Sequence, residues 1–162
     1  MATASELPID TSASAMDMAV AMFGHGITIV SASYTGAASA SGIYSDGDTV
    51  SPDLTPSDTG VILSTGNATD VTNEPGLLNL LADPNLSAET STDHALAGDA
   101  DLTAISGQET FDAAVFEAEF IPEGSTLTMQ IVFSSEEYLE YVNAGFNDAV
   151  GVWVNGVQAE LT

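Results

Sequence analysis

The alternation of apolar and polar residues is clearest in the last third of the chain, where it predicts β strands. Residues 113–120 alternate between an apolar row and a row that carries Glu117 and Glu119. Residues 127–133 alternate in the same way, and Pro122-Glu123-Gly124 between the two runs favours a turn. Because successive side chains of a strand point to opposite faces, each run predicts a strand with one apolar face.

A hairpin is predicted at the end of the sequence. Residues 149–154 and 157–161 flank Asn155-Gly156, and Asn-Gly favours a tight hairpin turn because both residues tolerate positive φ. The strand that runs toward Thr162 would leave an open edge, and open edges are association sites. We therefore expect that the chain is a piece of a longer one, or that another molecule supplies the next strand.

One amphipathic helix is predicted near the N-terminus, over residues 11–23. Asp10 or Thr11 can cap its first turn, and Gly24 follows as a stop. Asp17 is expected on its exposed side. The apolar residues at helical spacing, which we expect to pack on a sheet, are Met16, Val20 and Phe23.

The rest of the chain is predicted to form short strands and a long acidic loop region. Residues 27–30 and 61–64 are apolar runs that predict strands, and residues 67–102 predict the acidic loop. The length suits a single domain over residues 1–162, with the N-terminal helix followed by a β-rich region over residues 26–162. Short strands separated by turns predict a mostly β fold, an antiparallel β-sandwich or jelly roll with one N-terminal helix.

The charge of the chain excludes several classes of function. It has 24 Asp and Glu residues, no Lys or Arg, and a formal net charge of −24 at pH 7. Long-range electrostatics therefore disfavour binding to nucleic acid or to an anionic membrane surface. A hydrophobic fraction of 44% is unlike that of a disordered acidic tail. No apolar run approaches the ~20 residues of a membrane-spanning helix, so we expect no membrane insertion.

The same composition favours a protein outside the cell. Cysteine is absent, so disulfides cannot staple the domain. Residues 1–10 carry neither a basic n-region nor an apolar h-region. We predict an extracellular or cell-surface protein without a conventional N-terminal signal peptide. A cytosolic protein of a halophile, in which high salt screens the repulsion, is the competing explanation.

Acidic segments of the chain predict a calcium site. Glu136 and Glu137 leave one predicted strand, and Asn147 and Asp148 enter the next, which would place their oxygens at one end of a hairpin. No basic residue can neutralise these carboxylates, whereas Ca²⁺ takes about six to eight oxygen ligands. A solvated acidic turn is the alternative for each segment. The Asp-x-Asp spacing of calcium loops adds two further candidate ligands, Asp99 and Asp101.

Catalytic constellations are not evident in the sequence. Glu136 and Glu137 are neighbours that would point to opposite faces of a strand, unlike the facing carboxylates of a glycosidase. His25 and His94 have no evident nucleophile partner, so we predict that the protein is not an enzyme. Aromatic side chains that could stack on sugars keep a carbohydrate-binding module open as an alternative. These are Tyr34, Tyr44, Tyr138, Tyr141 and Trp153.

The chain also carries an ordered series of short motifs, which are Gly26-Ile27-Thr28-Ile29, Tyr34-Thr35-Gly36, Gly60-Val61-Ile62-Leu63-Ser64-Thr65-Gly66, Gly98-Asp99-Ala100-Asp101-Leu102, Phe111-Asp112-Ala113-Ala114-Val115, Phe133-Ser134-Ser135-Glu136-Glu137-Tyr138 and Phe146-Asn147-Asp148. This series resembles the choice-of-anchor L domain family of bacterial and archaeal surface or secreted proteins. The resemblance implies an extracytoplasmic β-rich module without an established catalytic mechanism. The sequence departs from the family at its end, because the family domain normally continues past Val154-Asn155-Gly156 with further strands.

Together these observations predict an extracellular structural or adhesive module that calcium stabilises. The metal is expected to act on folding, because ligands scattered along the chain converge only in the native state. We expect self-association through the open C-terminal strand edge, as in a surface or filament subunit. The alternatives are a module that binds carbohydrate or another cell's surface and, as the least favoured, a glycan hydrolase.

Overall fold

The strands of the protein pair antiparallel throughout the part of the chain that a computed structural model describes. The described residues are 7–52, 55–71, 92–135, 144–145 and 147–160. The strands are β1 (Ile9–Asp10), β2 (Ile27–Thr35), β3 (Ser41–Tyr44), β4 (Gly60–Leu63), β5 (Val115–Pro122), β6 (Trp153–Val154) and β7 (Val157–Gln158). One sheet has the order β1-β3-β4, while β2 pairs with β5 and β6 pairs with β7.

The mostly β, antiparallel character of the fold is confirmed, but its helical content is larger than the single helix predicted. The helices are α1 (Ala15–Met22), α2 (Gly47–Val50) and α3 (Ala100–Ser106). The strands predicted at 27–30 and 61–64 are present as β2 and β4, and β2 continues to Thr35. A sandwich or jelly-roll arrangement of the sheets stays a prediction. Within the predicted acidic loop region, residues 72–91 lie outside the described part of the chain.

Helix α1 begins at Ala15, four residues later than predicted, and neither Asp10 nor Thr11 caps it. Its N-cap is Ser14, whose hydroxyl accepts a hydrogen bond from the Asp17 N–H, while the Asp17 carboxylate accepts from the main-chain N–H of Ser14 at 3.0 Å. This reciprocal pair is a capping box. Asp10 instead ends β1, and its carboxylate accepts from the Ser12 N–H at 2.9 Å.

Of the three residues predicted to pack on the sheet, Phe23 does so, but Met16 and Val20 do not. Met18 and Ala19 are buried, whereas Val20 is 64% exposed and Met16 is 41% exposed. At about 100° per residue, Ala19 lies opposite the exposed Asp17 and Val20 lies near it. Because nearly every residue of α1 is apolar, periodicity alone does not select the face that packs on the sheet. The packing of α1 against β2, β3 and β4 is as predicted.

The capping carboxylate of α1 should make stability depend on pH. Hydrogen bonds from the Ser14 hydroxyl and then from its N–H lower the pKa of Asp17 below the ordinary 3.8. A lowered pKa stabilises the fold above the unfolded value, and this contribution is lost as the pH falls through the folded value. We expect Asp17→Asn to lower the melting temperature at neutral pH and to have little effect at acidic pH.

Thermal melts of both proteins across this pH range provide the measurement. Glu123→Gln removes the same charge from an exposed turn and is the matched control. An Asp17→Asn deficit that persists unchanged in acid would contradict the assignment.

Strands β2 and β5 form a long two-stranded ribbon with one packed and one outward face. The alternation predicted for residues 113–120 is confirmed, because Phe116, Ala118 and Phe120 are partly buried while Glu117 and Glu119 are exposed. The ring of Phe120 packs against that of Phe23 from the end of α1, with 5.0 Å between centroids. Across the ribbon, Ser33 and Ser31 are the partners of the two glutamates.

The strand predicted over residues 127–133 is absent, which corrects the sequence interpretation. These residues are described, but they belong to no strand or helix and are exposed along their whole length. A strand exists only through pairing, and alternation shows which side chains would share a face without showing whether a neighbour is present. The structure therefore leaves an apolar, alternating segment open to solvent.

The predicted C-terminal hairpin is confirmed in a shorter form. Asn155 and Gly156 form its turn with φ values of 51° and 76°, the left-handed geometry that Asn-Gly favours in a two-residue turn. Strands β6 and β7 contain two residues each, fewer than predicted. A hydrogen bond from the Ala159 N–H to the Val152 carbonyl, at 2.8 Å, continues the pairing by one step.

Candidate functional site

The predicted metal ligands form three groups along the sequence. Asp99 and Asp101 lie at the start of α3. Asn147 and Asp148 lie in the chain that leads to β6, and both are exposed. The predicted ligands Glu136 and Glu137 lie outside the described residues.

The segment predicted as an acidic calcium loop is the beginning of a helix. Asp99 is the N-cap of α3, and its Oδ1 accepts from the N–H groups of Asp101 at 2.8 Å and Leu102 at 3.0 Å. Gly107 ends the helix in the left-handed conformation, with φ of 70°. The Asp-x-Asp spacing fits both a calcium loop and a capped helix start, and Gly107 was the sequence feature that favoured the helix.

The two ends of the α3 region are tied together by Thr110. Its hydroxyl donates to the Asp99 carbonyl at 3.0 Å and accepts from the Asp99 N–H at 3.1 Å. The Thr103 hydroxyl lies 2.7 Å from it. The main chain of Gly98 runs so close to Thr110 that a β-carbon at residue 98 would overlap the Thr110 carbonyl. The contact between Gly98 and Thr110 therefore leaves no room for a side chain at residue 98.

Asp112 holds the chain that precedes α3, a role that sequence reasoning missed. Its Oδ2 accepts from the His94 N–H at 2.9 Å and its Oδ1 from the Leu96 N–H at 2.7 Å. An antiparallel bridge joins Ala97 to Phe111 directly beside this contact. Asp112 itself has φ of 50°, a conformation that Asp and Asn tolerate better than other side chains. One carboxylate therefore fixes two main-chain groups 16 to 18 residues away.

The structure brings Asn147 to the helix that Asp99 begins. The Asn147 side-chain amide donates to the Ser106 carbonyl at 3.0 Å, across 41 residues of sequence. Ser106 is the last residue of α3, so Asn147 and Asp99 lie at opposite ends of a helix about 10 Å long. In a chain without Lys or Arg, Asn147 donates to a helix end that a basic side chain often stabilises. Two of the three predicted groups of ligands are therefore neighbours of one helix.

Among the described residues, no three side chains of His, Asp or Glu come together in a way that would hold a metal ion. The calcium site that includes Glu136 and Glu137 stays a prediction.

Several carboxylates of the described residues accept hydrogen bonds from main-chain N–H groups, whereas other proteins often pair such carboxylates with Lys or Arg. Each of these bonds satisfies a charged oxygen without an ion pair, and such charge-assisted bonds are stronger than neutral ones. The carboxylates that accept from main-chain N–H groups are Asp10, Asp17, Asp58, Asp93, Asp99 and Asp112.

The aromatic residues considered for sugar stacking are mostly structural where they are described. Tyr44 is 5% exposed, and its hydroxyl lies 3.2 Å from the Ser57 hydroxyl. The Tyr34 hydroxyl donates to the Ala37 carbonyl at 3.0 Å, and burial raises the pKa of Tyr34. The Trp153 ring lies against Gly151. Tyr138 and Tyr141 lie outside the described residues.

Comparison with known proteins identifies the family. Neither the curated proteins nor the solved structures contain a match to this chain. In the described residues, no helix is long and apolar enough to cross a membrane. The family model of the choice-of-anchor L domain matches residues 9–162, essentially the whole chain, and indicates a surface-associated bacterial protein. The chain therefore belongs to the choice-of-anchor L domain family.

Proposed function

We propose that this protein is a non-enzymatic structural module of the bacterial surface, which calcium stabilises and which self-associates. Family membership supports the surface location. The absence of any Lys or Arg beside 24 carboxylates supports the need for a cation from solution. Calcium fits this need because it is a hard cation that binds carboxylate and amide oxygens in flexible geometry.

The observation that carries the calcium proposal is the hydrogen bond between Asn147 and Ser106. It holds the Asn147-Asp148 segment at the C-terminal end of α3, where the helix dipole is negative. A carboxylate beside a negative helix end is unfavourable without a cation, and Asp148 and the Asn147 Oδ1 are ligands that calcium prefers.

Removal of calcium is expected to lower the melting temperature by roughly 5–10 °C. A ligand at about 100 times its Kd stabilises the native state by about 2.7 kcal/mol, and each kcal/mol shifts the melting temperature of a domain of this size by roughly 2–4 °C. Circular dichroism melts with calcium and with excess EDTA give the measurement. Sedimentation in the same two buffers reports self-association, which should be greater with calcium because the cation offsets repulsion between copies.

The controls separate a calcium site from screening of the net charge. NaCl at matched ionic strength should not replace calcium. Asp148→Asn should weaken the response to calcium, whereas Glu123→Gln removes the same charge from the turn after β5 and should leave the response intact. An unchanged melting curve in EDTA, or full recovery with NaCl, would show that the calcium proposal is wrong.

A further inference from the structure

The segment at residues 127–133, named here the open segment, exposes an unusual amount of apolar surface. Phe133 is 53% exposed and Val132 is 58% exposed. The other large apolar side chains of the open segment are also exposed, namely Leu127, Met129 and Ile131. A contiguous row of this kind marks an interaction site or a site of aggregation.

Strand β5 has an edge that matches this segment. Among the described residues, β5 pairs only with β2, so its second edge has no described strand beside it. β5 contains eight residues, and the open segment is of nearly the same length. An edge of this length without a neighbouring strand is a template for an added strand, because its outward N–H and C=O groups are available for pairing.

The apolar residues of β5 and of the open segment are spaced so that one antiparallel register places them on the same face. Phe116, Ala118 and Phe120 form the packed face of β5, at even-numbered positions. In the open segment the apolar row Leu127, Met129, Ile131 and Phe133 is at odd-numbered positions. An antiparallel register that pairs odd with even places both rows on one face, and a slip of one residue would separate them. One such register pairs Phe120 with Met129, Ala118 with Ile131 and Phe116 with Phe133.

The charge of the chain indicates that the added strand comes from a second copy. No Asp or Glu lies between Gly124 and Ser135, so the open segment attracts no cationic partner. In the register given above, Glu117 and Glu119 of β5 would face the uncharged Val132 and Gln130, so two molecules of charge −24 can meet there with little local repulsion. One chain supplies both the strand and the edge, which makes the contact self-complementary, as in domain-swapped dimers.

We propose that the free edge of β5 is a docking site for residues 127–133 of a second copy of this chain, which adds to it as an antiparallel strand. The inference rests on the proposed self-association and names the surfaces that make it. Exchange in both directions closes a dimer, and exchange in one direction extends a filament.

Disulfide trapping tests the contact, because the natural chain has no cysteine. Glu119→Cys on β5 and Gln130→Cys in the open segment alter exposed side chains of the outward row. Mixing the two single variants under mild oxidation in calcium buffer should give a cross-linked pair of chains. A mixture of Gln130→Cys with Ala104→Cys, which is exposed on α3, is the control and should cross-link at least tenfold less.

The double variant distinguishes exchange between copies from closure within one chain. If Glu119→Cys/Gln130→Cys cross-links only within single chains, the segment closes on its own edge and the proposal is overturned. Equal trapping in the control mixture would also overturn it, because the contact would then be nonspecific.

A proline variant separates the failure of this contact from the failure of self-association. Gln130→Pro removes a main-chain donor at an exposed residue outside every strand and helix, so it should abolish sedimentation as an oligomer while leaving the melting curve of the monomer unchanged. Gln130→Ala should still associate. If the natural protein associates and Gln130→Pro associates equally well, this contact is wrong while the proposed function stands. If the natural protein stays monomeric with calcium, both are wrong.

Discussion

Replacing Asp112 with alanine is expected to destabilise the protein by about 3–5 kcal/mol. Alanine loses both charge-assisted bonds to the N–H groups of His94 and Leu96, and hydrogen bonds to charged groups contribute about 1.5–3 kcal/mol each. It must also adopt the positive φ of 50° at this position, which costs about 1–2 kcal/mol for a residue without a polar side chain. These contributions overlap, so their sum is an upper bound.

Urea denaturation provides the measurement, with Asp112→Asn as the informative comparison. Asparagine tolerates the same φ and keeps one carbonyl oxygen as an acceptor, so it should cost about half as much as alanine. Glu109→Gln removes an equal charge from an exposed neighbour and should be nearly neutral. Equal losses for the alanine and asparagine variants would argue against the two-bond role of the carboxylate.

Replacing Gly98 with alanine is expected to cost about 3 kcal/mol, or roughly 6–12 °C in melting temperature. The added β-carbon would overlap the main-chain carbonyl of Thr110, and main chain yields less readily than a flexible side chain. Moving Thr110 would also break its bonds to the N–H and carbonyl of Asp99. The N-terminal end of α3 should therefore loosen together with the chain that it closes.

Gly124→Ala is the matched control for this variant. A β-carbon at Gly124 meets nothing within 4 Å, and its φ is not in the left-handed region, so the same chemical change should have little effect. Thermal melts of the two variants give the comparison. If Gly98→Ala has the same melting temperature as Gly124→Ala, the close approach of residues 98 and 110 is not a feature of the folded protein.

Local patterns predicted the elements that depend on local chemistry. The predictions of the alternation in β5 and of the Asn155-Gly156 turn were correct. Both depend only on local sequence, because successive side chains of a strand alternate between faces and because Asn and Gly tolerate positive φ. The start of α1 was misplaced because Asp10, Thr11 and Ser14 are all N-cap residue types within a few positions. Only the reciprocal bond between Ser14 and Asp17 selects one of them.

Features that depend on distant contacts could not be obtained in this way. Asp112 lies within a motif quoted for the family resemblance, but its partners are main-chain groups that no sequence pattern marks. For the candidate site, Asn147 and Asp99 lie at opposite ends of α3 and the Asp99 side chain is occupied as a helix cap, so the shared calcium site stays a prediction. Residues 127–133 have the pattern of a strand and lack a described neighbour, which shows that amphipathicity predicts a face and not a partner.

The carboxylates bound to main-chain N–H groups have a consequence for the dynamics of the loops. An amide hydrogen held by a carboxylate exchanges with solvent only when that bond opens, even where no sheet or helix protects it. His94 and Leu96 lie outside every strand and helix, yet Asp112 holds both of their amides. We therefore expect two sets of slowly exchanging amides in this protein: those within strands and helices, and those in loops that are bound by an aspartate carboxylate.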